Sequence, residues 1–340
     1  MDRVDLGPLR VTRLCLGTML MGGRTPADEA QRLLDAWVAA GHNFLDTADV
    51  YGDGISEETL APWLARRRDE VVVATKVRFA VSDPGGSGLA PERIVRACDA
   101  SLRRLGIDVI DLYQVHAPDP DVALEDTLAA LDGLVRAGKV RALGASNFPA
   151  WLLAWAVAVQ DREGFSPFVS LQPQYSLVER SIETEILPFC RAAGLGVLPW
   201  GPLGAGFLTG RYERGTQPPA GTRIGDAEDG LEEALHRRGT EANFRAVDEA
   251  RAVADELGAG VAQVALAWLL AQPGVTAPIV GPRTLDQLED LLPAAELTLT
   301  DEQVARLGRW TAPARGYPER MLIEQSAIDV ASTTLRRAPA

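Results

Sequence analysis

The stretch VVVATKVRFAVSDPGGSGLAPERIVRACDASLRRLGIDVIDLYQVH, residues 71–116, decides the fold. It opens on an aliphatic run, Val71 to Thr75, and closes on a second run, Val109 to Val115. Between them Pro91 stands where a helix accepts proline, at its first position, and Gly106 stands where a left-handed C-cap needs a residue without Cβ. The spacing predicts a helix over 91–105 joining two strands, a βαβ unit with a parallel sheet. Both strand runs are nearly continuous in apolar residues, the pattern of strands covered on both faces.

Working outward, the same unit recurs. Strands are expected at 14–16, 43–46, 71–75, 109–115, 142–145, 169–171, 196–199 and 276–280. Helices are expected at 27–40, 56–67, 91–105, 121–137, 149–161, 183–193, 244–271 (broken near Gly258 and Gly260) and 284–292. Eight strand–helix pairs is the count of an α/β (β/α)8 TIM barrel, and residues 1–340 are read as one such domain. The competing doubly wound open sheet lacks its GxGxxG turn after the first strand, and no Pro/Gly-rich linker divides the chain. Outside the repeat, residues 1–13 read as a β-hairpin able to plug the barrel bottom. The polar, Gly/Pro-rich segment 212–243 is a long loop after strand seven, either a lid or a tolerated insertion.

Composition narrows the function. With 34 Lys+Arg against 47 Asp+Glu the formal charge is −13, which opposes nucleic acid or an anionic membrane surface as the main partner. Cys15, Cys98 and Cys190 are scattered and form no CxxC, so neither a disulfide framework nor a metal site is expected, and a reducing cytoplasm is. The N-terminus MDRVDLGPLR lacks a signal-peptide core, and the most apolar stretches are about half a membrane span.

In a barrel, chemistry gathers where strands run into the following loops. Asp46 ends NFLD, Lys76 follows VVVAT, His116 ends VIDLYQV, and Tyr51 lies in the loop after Asp46. Singly, each has an ordinary structural use: a helix cap, a snorkelling lysine, a packed histidine. Together they converge on one cavity. A phenol near pKa 10 needs a cation to bring its proton within reach at neutral pH, so Lys76 is expected to lower Tyr51 while Asp46 keeps Lys76 charged. His116 would orient a carbonyl toward Tyr51.

At these residues the chain resembles the aldo-keto reductase superfamily, in its potassium-channel β-subunit-like and bacterial general-reductase branch. The matching motifs are FLDTADVYGDGISEETL (44–60), DLYQVHAPD (111–119), VRALGASNF (140–148), LQPQYSLVER (171–180), PWGPLGAGFLTGRY (199–212) and IVGPRTLDQLED (279–290), in family order. The resemblance implies NADPH-dependent, reversible reduction of an aldehyde or ketone, with Tyr51 as general acid, Asp46 and Lys76 as its tuning pair and His116 orienting. It implies cofactor contacts from Gly17, Thr18, Met19 and Asp46 on the first two strand ends, and from Ser146, Asn147 and Gln172 around the nicotinamide carboxamide. Trp200 would stack on the ring, Pro202, Leu203, Gly204 and Gly206 would pass over the pyrophosphate, and Gly281, Arg283, Gln287 and Asp290 would hold the adenosine end. There Arg283 would meet the 2′-phosphate, helped by free N–H groups at the start of the last barrel helix. The chain departs from its relatives at Leu291, where they place a polar residue. GAGFLTG (204–210) is no dinucleotide fingerprint, since it follows the seventh strand with GxGxxxG spacing. A passive cofactor-binding regulatory subunit is the alternative, and a Schiff-base lysine enzyme on the same fold a third. Small aldehydes, cyclic ketones and keto-sugars all stay open as substrates, with Met19, Met21, Trp151 and 212–243 expected as pocket walls.

Overall fold

The computed structural model describes residues 2–83, 85–226 and 235–326. An antiparallel hairpin, β1 (Arg3–Leu6) and β2 (Leu9–Thr12), precedes the barrel strand β3 (Cys15–Gly17). The chain then alternates: α1 (Ala27–Ala39), β4 (Phe44–Asp46), α2 (Ile55–Arg67), β5 (Val72–Val77), α3 (Pro91–Leu105), β6 (Ile110–Val115) and α4 (Leu124–Arg136). It continues with β7 (Val140–Ser146), α5 (Ala150–Glu163), β8 (Phe168–Gln172), α6 (Ile186–Ala193) and β9 (Gly196–Val197). After the long loop come α7 (Leu235–Arg238), α8 (Glu241–Leu257), α9 (Val261–Leu270), β10 (Ile279–Val280) and α10 (Leu285–Leu291).

The parallel sheet runs β10-β3-β4-β5-β6-β7-β8-β9. Its two ends meet through backbone bonds, Thr276 N to Val197 O at 2.8 Å and Ile279 N to Pro199 O at 2.8 Å. The eight strands thus form the expected (β/α)8 barrel, each expected strand overlapping an observed one.

Period two along each strand sorts the side chains into two cores. Leu45, Val73, Tyr113, Leu143 and Leu171 pack outward against the helices, while Phe44, Ala74, Leu112, Ala142 and Leu198 fill the barrel's lower interior. The helices supply the matching stripe. In α3 the buried Ile94, Ala97, Cys98, Ser101 and Leu105 recur at helical spacing, and Gly106 ends the helix at φ +65°. Near the barrel axis space is short: a Cβ on Gly144 would lie 2.6 Å from Ser170 Oγ.

The hairpin closes the bottom. Leu6, Leu9 and Val11 join the interior core, and Asn43 ties β2 to the barrel by accepting from Thr12 N and donating to Arg10 O, each at 2.9 Å. At its turn Gly7 adopts φ +57° against β8, where a Cβ would meet Val169 Cγ1 at 2.3 Å. With the floor apolar, the polar strand-end residues are left at the opposite mouth.

Two helices beyond the repeat, α11 (Asp301–Gly308) and α12 (Glu319–Ser326), add to the expected set. A Thr300/Gln303 capping box starts α11, and Arg306 fixes it to Glu249 of α8. Among the described residues no single helix is long and apolar enough to cross a membrane, and α8 with α9 meets that length only as a pair bent by 98°.

Candidate active site

Three strand ends bring the site together. Asp46 ends β4, Lys76 lies near the end of β5, and His116 immediately follows β6. The loop leaving β4 turns sharply at Gly52 and Gly54, both at positive φ, and returns Tyr51 over the mouth. Ser56 anchors this loop by donating to Thr18 O and pairing with the hydroxyls of Thr18 and Thr47.

Lys76 has no exposed surface and is held on three sides. Its Nζ donates to Asp46 Oδ2 at 2.6 Å, to Thr47 O at 2.8 Å and to Tyr51 Oη at 3.0 Å. The ammonium also sits 4.6 Å from the centroid of the Tyr51 ring. Burial alone would discharge this lysine, but the Asp46 carboxylate and the Tyr51 phenol outweigh it and raise its pKa above the ordinary value. The lysine stays an ammonium.

Tyr51 departs from expectation. Burial raises its pKa, Lys76 opposes that rise, Asp46 adds to it, and the net shift is upward. Lys76 acts to lower the phenol, as expected, but a net lowering does not result, because desolvating a phenolate costs more than the neighbouring ammonium returns while Asp46 neutralises that ammonium. The phenol therefore keeps its proton while its oxygen accepts from the Lys76 ammonium.

His116 is wedged between aromatic rings, with centroids 5.9 Å from Tyr51 and 4.8 Å from Phe79, both edge-on. Burial, with Lys76 nearby, pushes its pKa down to about 2. The imidazole is neutral, and among the described residues its buried Nδ1 has no hydrogen-bond partner.

A layer of amides supports the carboxylate from below. Gln172 Nε2 donates to Asp46 Oδ1 at 2.8 Å and Gln114 Nε2 to the same oxygen at 3.2 Å. Gln114 escaped the sequence reading. Its signal was the alternation in DLYQVH, which puts it two residues before His116 and, by register, beside Lys76.

Asn147 laces the opposite rim at φ +58°. It donates to His116 O and Ser146 Oγ and accepts from Trp200 Nε1 at 3.0 Å, joining the ends of three strands. Ser146 is buried and donates to Gln172 O. After Trp200, Gly201, Gly204, Ala205 and Gly206 all take positive φ, a left-handed run in which Pro202 and Gly204 are buried and Leu203 half-buried. A Cβ on Gly204 would meet Val178 Cγ2 at 2.8 Å, so this bend admits no side chain there. The N–H groups of both glycines are spent within the turn, Gly204 N donating to Gly201 O at 2.9 Å and Gly206 N to Leu203 O at 3.0 Å, so what the run offers a neighbour is close approach without side chains.

On the first rim, Gly17 packs against Ile279, the buried Thr18 donates from its backbone to Asp46 O, and Met19 is partly exposed. Met21 is buried in the core between barrel and helices, so it forms no pocket wall. Trp151 is 65% exposed on α5. Beyond β10, a Cβ added to Gly281 would lie 4.0 Å from Gly17 O. Arg283, Thr284 and Gln287 line a cleft of about 350 Å³ with Arg24, Glu29 and Arg32. Asp290 is exposed nearby, its carbonyl accepting from Gln263, and Leu291 is buried.

The expected free N–H groups at the start of α10 need correction. Leu285 N already donates to Glu29 Oε1 at 2.8 Å, and Gln287 N to Thr284 Oγ1 at 3.3 Å. A carboxylate from α1 caps the helix where an anion was expected. Residues 227–234 of the 212–243 segment, expected as either a lid or an insertion, lie outside the described residues. Its described first part reaches the cleft, with Arg283 Nη1 donating to Gly221 O at 3.5 Å and Arg24 facing Asp226 at 3.4 Å.

The eight-stranded parallel barrel thus carries a buried Asp46–Lys76 pair, a tyrosine bonded to it and a neutral histidine at one mouth. The chain belongs to the aldo/keto reductase family, whose model matches residues 13–310. It is 40% identical to the uncharacterized oxidoreductase YrpG of Bacillus subtilis over 88% of this chain and 91% of that protein. It is 34% identical to norsolorinic acid reductase stcV of Emericella nidulans, over 94% of this chain and 83% of the relative. A probable voltage-gated potassium channel subunit beta of Oryza sativa is 33% identical, over 88% and 92%.

Proposed function

We propose that the whole chain, 1–340, acts as one barrel domain that reduces an aldehyde or ketone to an alcohol with NADPH, Tyr51 giving the proton. The observation that carries this reading is the Asp46–Lys76–Tyr51 chain, with bonds of 2.6 and 3.0 Å. A protonated phenol backed by a fixed ammonium can give its proton to an alkoxide oxygen, and the phenolate left behind is stabilised by Lys76. His116, neutral and edge-on to Tyr51, is placed to donate a hydrogen bond to the carbonyl without carrying charge. Tyr51 and His116 then set the direction of the carbonyl from two strands.

The residues present fit a nicotinamide dinucleotide. Ser146, Asn147 and Gln172 gather hydroxyl and amide oxygens beside Trp200, the glycines of 204–206 leave room for a pyrophosphate, and Arg283 with Gln287 waits at the far end. When bound, NADPH supplies the hydride. Gln172 has a second duty, since its amide nitrogen is committed to Asp46. Gly17, Thr18, Met19, Gly281 and Asp290 are assigned to the same cofactor path, in a cytoplasmic enzyme without nucleic-acid or membrane partners.

One relative is named a norsolorinic acid reductase, and the ring of Phe79 against His116 gives this mouth an apolar wall. From that wall we infer a preference for apolar carbonyls over charged ones. The test is NADPH consumption across a panel of aldehydes, cyclic ketones and keto-sugars. One alcohol formed per NADPH oxidised, with the best kcat/KM on aryl or alicyclic carbonyls, is the expected result. Turnover without NADPH, or none with any carbonyl, would overturn it.

A further inference from the structure

We infer that Arg24 and Asp226 form a charge latch at the phosphate end of the cleft, in which Asp226 holds the place on Arg24 that a phosphate monoester of the bound cofactor takes. The inference rests on the NADPH reading and adds to it a residue from the β3–α1 loop and an internal competitor.

Arg24, on the loop before α1, lines the same cleft as Arg283, before α10. The cleft's other charged groups are the carboxylate of Asp28 and the pair Arg32 with Glu29, the latter's carboxylate also capping Leu285 N. Arg32 and Glu29 are committed to one another and to the helix. Arg24 and Arg283 are held differently. Arg24 Nη2 stands 3.4 Å from Asp226 Oδ2, with the two side chains 52% and 31% exposed, and Arg283 Nη1 stands 3.5 Å from Gly221 O. Both separations exceed the ~2.7–2.9 Å of a strong charge-assisted bond, so both contacts are easily exchanged.

The segment they hold is a compact turn. Asp226 Oδ1 accepts from Gly221 N at 2.8 Å, Asp226 N donates to Thr222 O at 3.0 Å, and Thr222 Oγ1 donates to Pro219 O. Buried Ile224 pins the turn to the core. The turn thus presents one carboxylate to Arg24 and one carbonyl to Arg283. A phosphate monoester offers three oxygens and a charge of about −1.5 to −2 at neutral pH, enough to engage both guanidiniums. Asp226 and the phosphate then compete for Arg24, and each weakens the other by the same factor. A dinucleotide without that phosphate leaves the latch closed, so Arg24 favours NADPH over NADH and Asp226 moderates that preference.

Calorimetric titration of the intact protein with NADPH, NADH, adenosine 2′,5′-bisphosphate and 5′-AMP tests this. Asp226→Asn is expected to bind the two 2′-phosphorylated ligands about 5–10-fold tighter, with NADH and 5′-AMP changed less than about twofold. Arg24→Gln is expected to weaken the 2′-phosphorylated ligands about tenfold, and adding Asp226→Asn to it should bring no recovery. Unchanged or weakened NADPH binding in Asp226→Asn would overturn the latch, as would an equal shift for NADH. Wild-type protein that binds neither dinucleotide would instead overturn the cofactor reading itself.

Discussion

The two ends of the mouth work by opposite means. On the β4–β6 side, Lys76 is wholly buried and its three bonds are all to groups of the protein itself. On the β3–β10 side, Arg24 and Arg283 lie in an open cleft, and Arg24 is 52% exposed. A buried ion chain in low dielectric is strong, rigid and insensitive to salt, while exposed guanidiniums in water are screened and exchangeable. Chemistry needs the first and a cofactor that comes and goes needs the second. Both are built in a chain of net charge −13.

Breaking the buried side should have the larger effect. Lys76→Met removes the cation from both Asp46 and Tyr51. A fall in kcat of ~10²–10⁴-fold is expected, the range for a general acid. The orphaned Asp46 carboxylate should also cost about 3–5 kcal/mol of stability in denaturant titration. A variant with near wild-type kcat would show that the ion chain is only structural.

Breaking the open side should leave chemistry intact. Arg283→Ala is expected to raise the Kd of NADPH about tenfold, to leave NADH nearly unchanged, and to flatten the dependence of NADPH binding on salt. Equal losses for both dinucleotides, seen by tryptophan-fluorescence titration, would move the phosphate elsewhere.

The pH dependence sharpens the same contrast. Because burial holds His116 near pKa 2, no rate change between pH 5 and 8 should arise from its protonation, and His116→Gln should keep the wild-type profile shape at lower rate. Asp49, three residues beyond Asp46, behaves otherwise: burial first, then Glu57, raises its pKa to about 6 against the pull of Arg93. The folded protein then binds this proton more tightly than the unfolded chain. The stabilisation it gives below about pH 4 is lost as pH rises through about 6. Relative to wild type, Asp49→Asn should therefore gain on the order of 1–3 kcal/mol between pH 4 and 7 in denaturant titrations. A constant difference across that range would contradict the buried-carboxylate assignment.

Much of this was legible in the sequence, and the reason is geometric. Continuous apolar runs marked each barrel strand, and Pro91 and Gly106 bounded α3 at the residues observed. Asp46, Lys76, Tyr51 and His116 could be grouped because strand ends of one barrel share one mouth. What escaped depended on contacts between distant parts of the chain. Glu29 caps α10 from 256 residues away, and neither motif nor periodicity marks that. Arg24 carries no signal until the cleft exists. The direction of Tyr51's pKa hinged on how deeply the loop buries it, a balance that residue types alone do not set. Gln114 was readable in principle, as a polar residue in phase with the inward register of β6.

Whether Tyr51 gives the proton is decided by single-turnover rates of Tyr51→Phe mixed with NADPH and a carbonyl that wild type reduces. The rate is expected to fall by ~10²–10⁴-fold with NADPH affinity within about twofold of wild type. A Tyr51→Phe protein that oxidises NADPH at the wild-type rate would rule out Tyr51 as the proton donor.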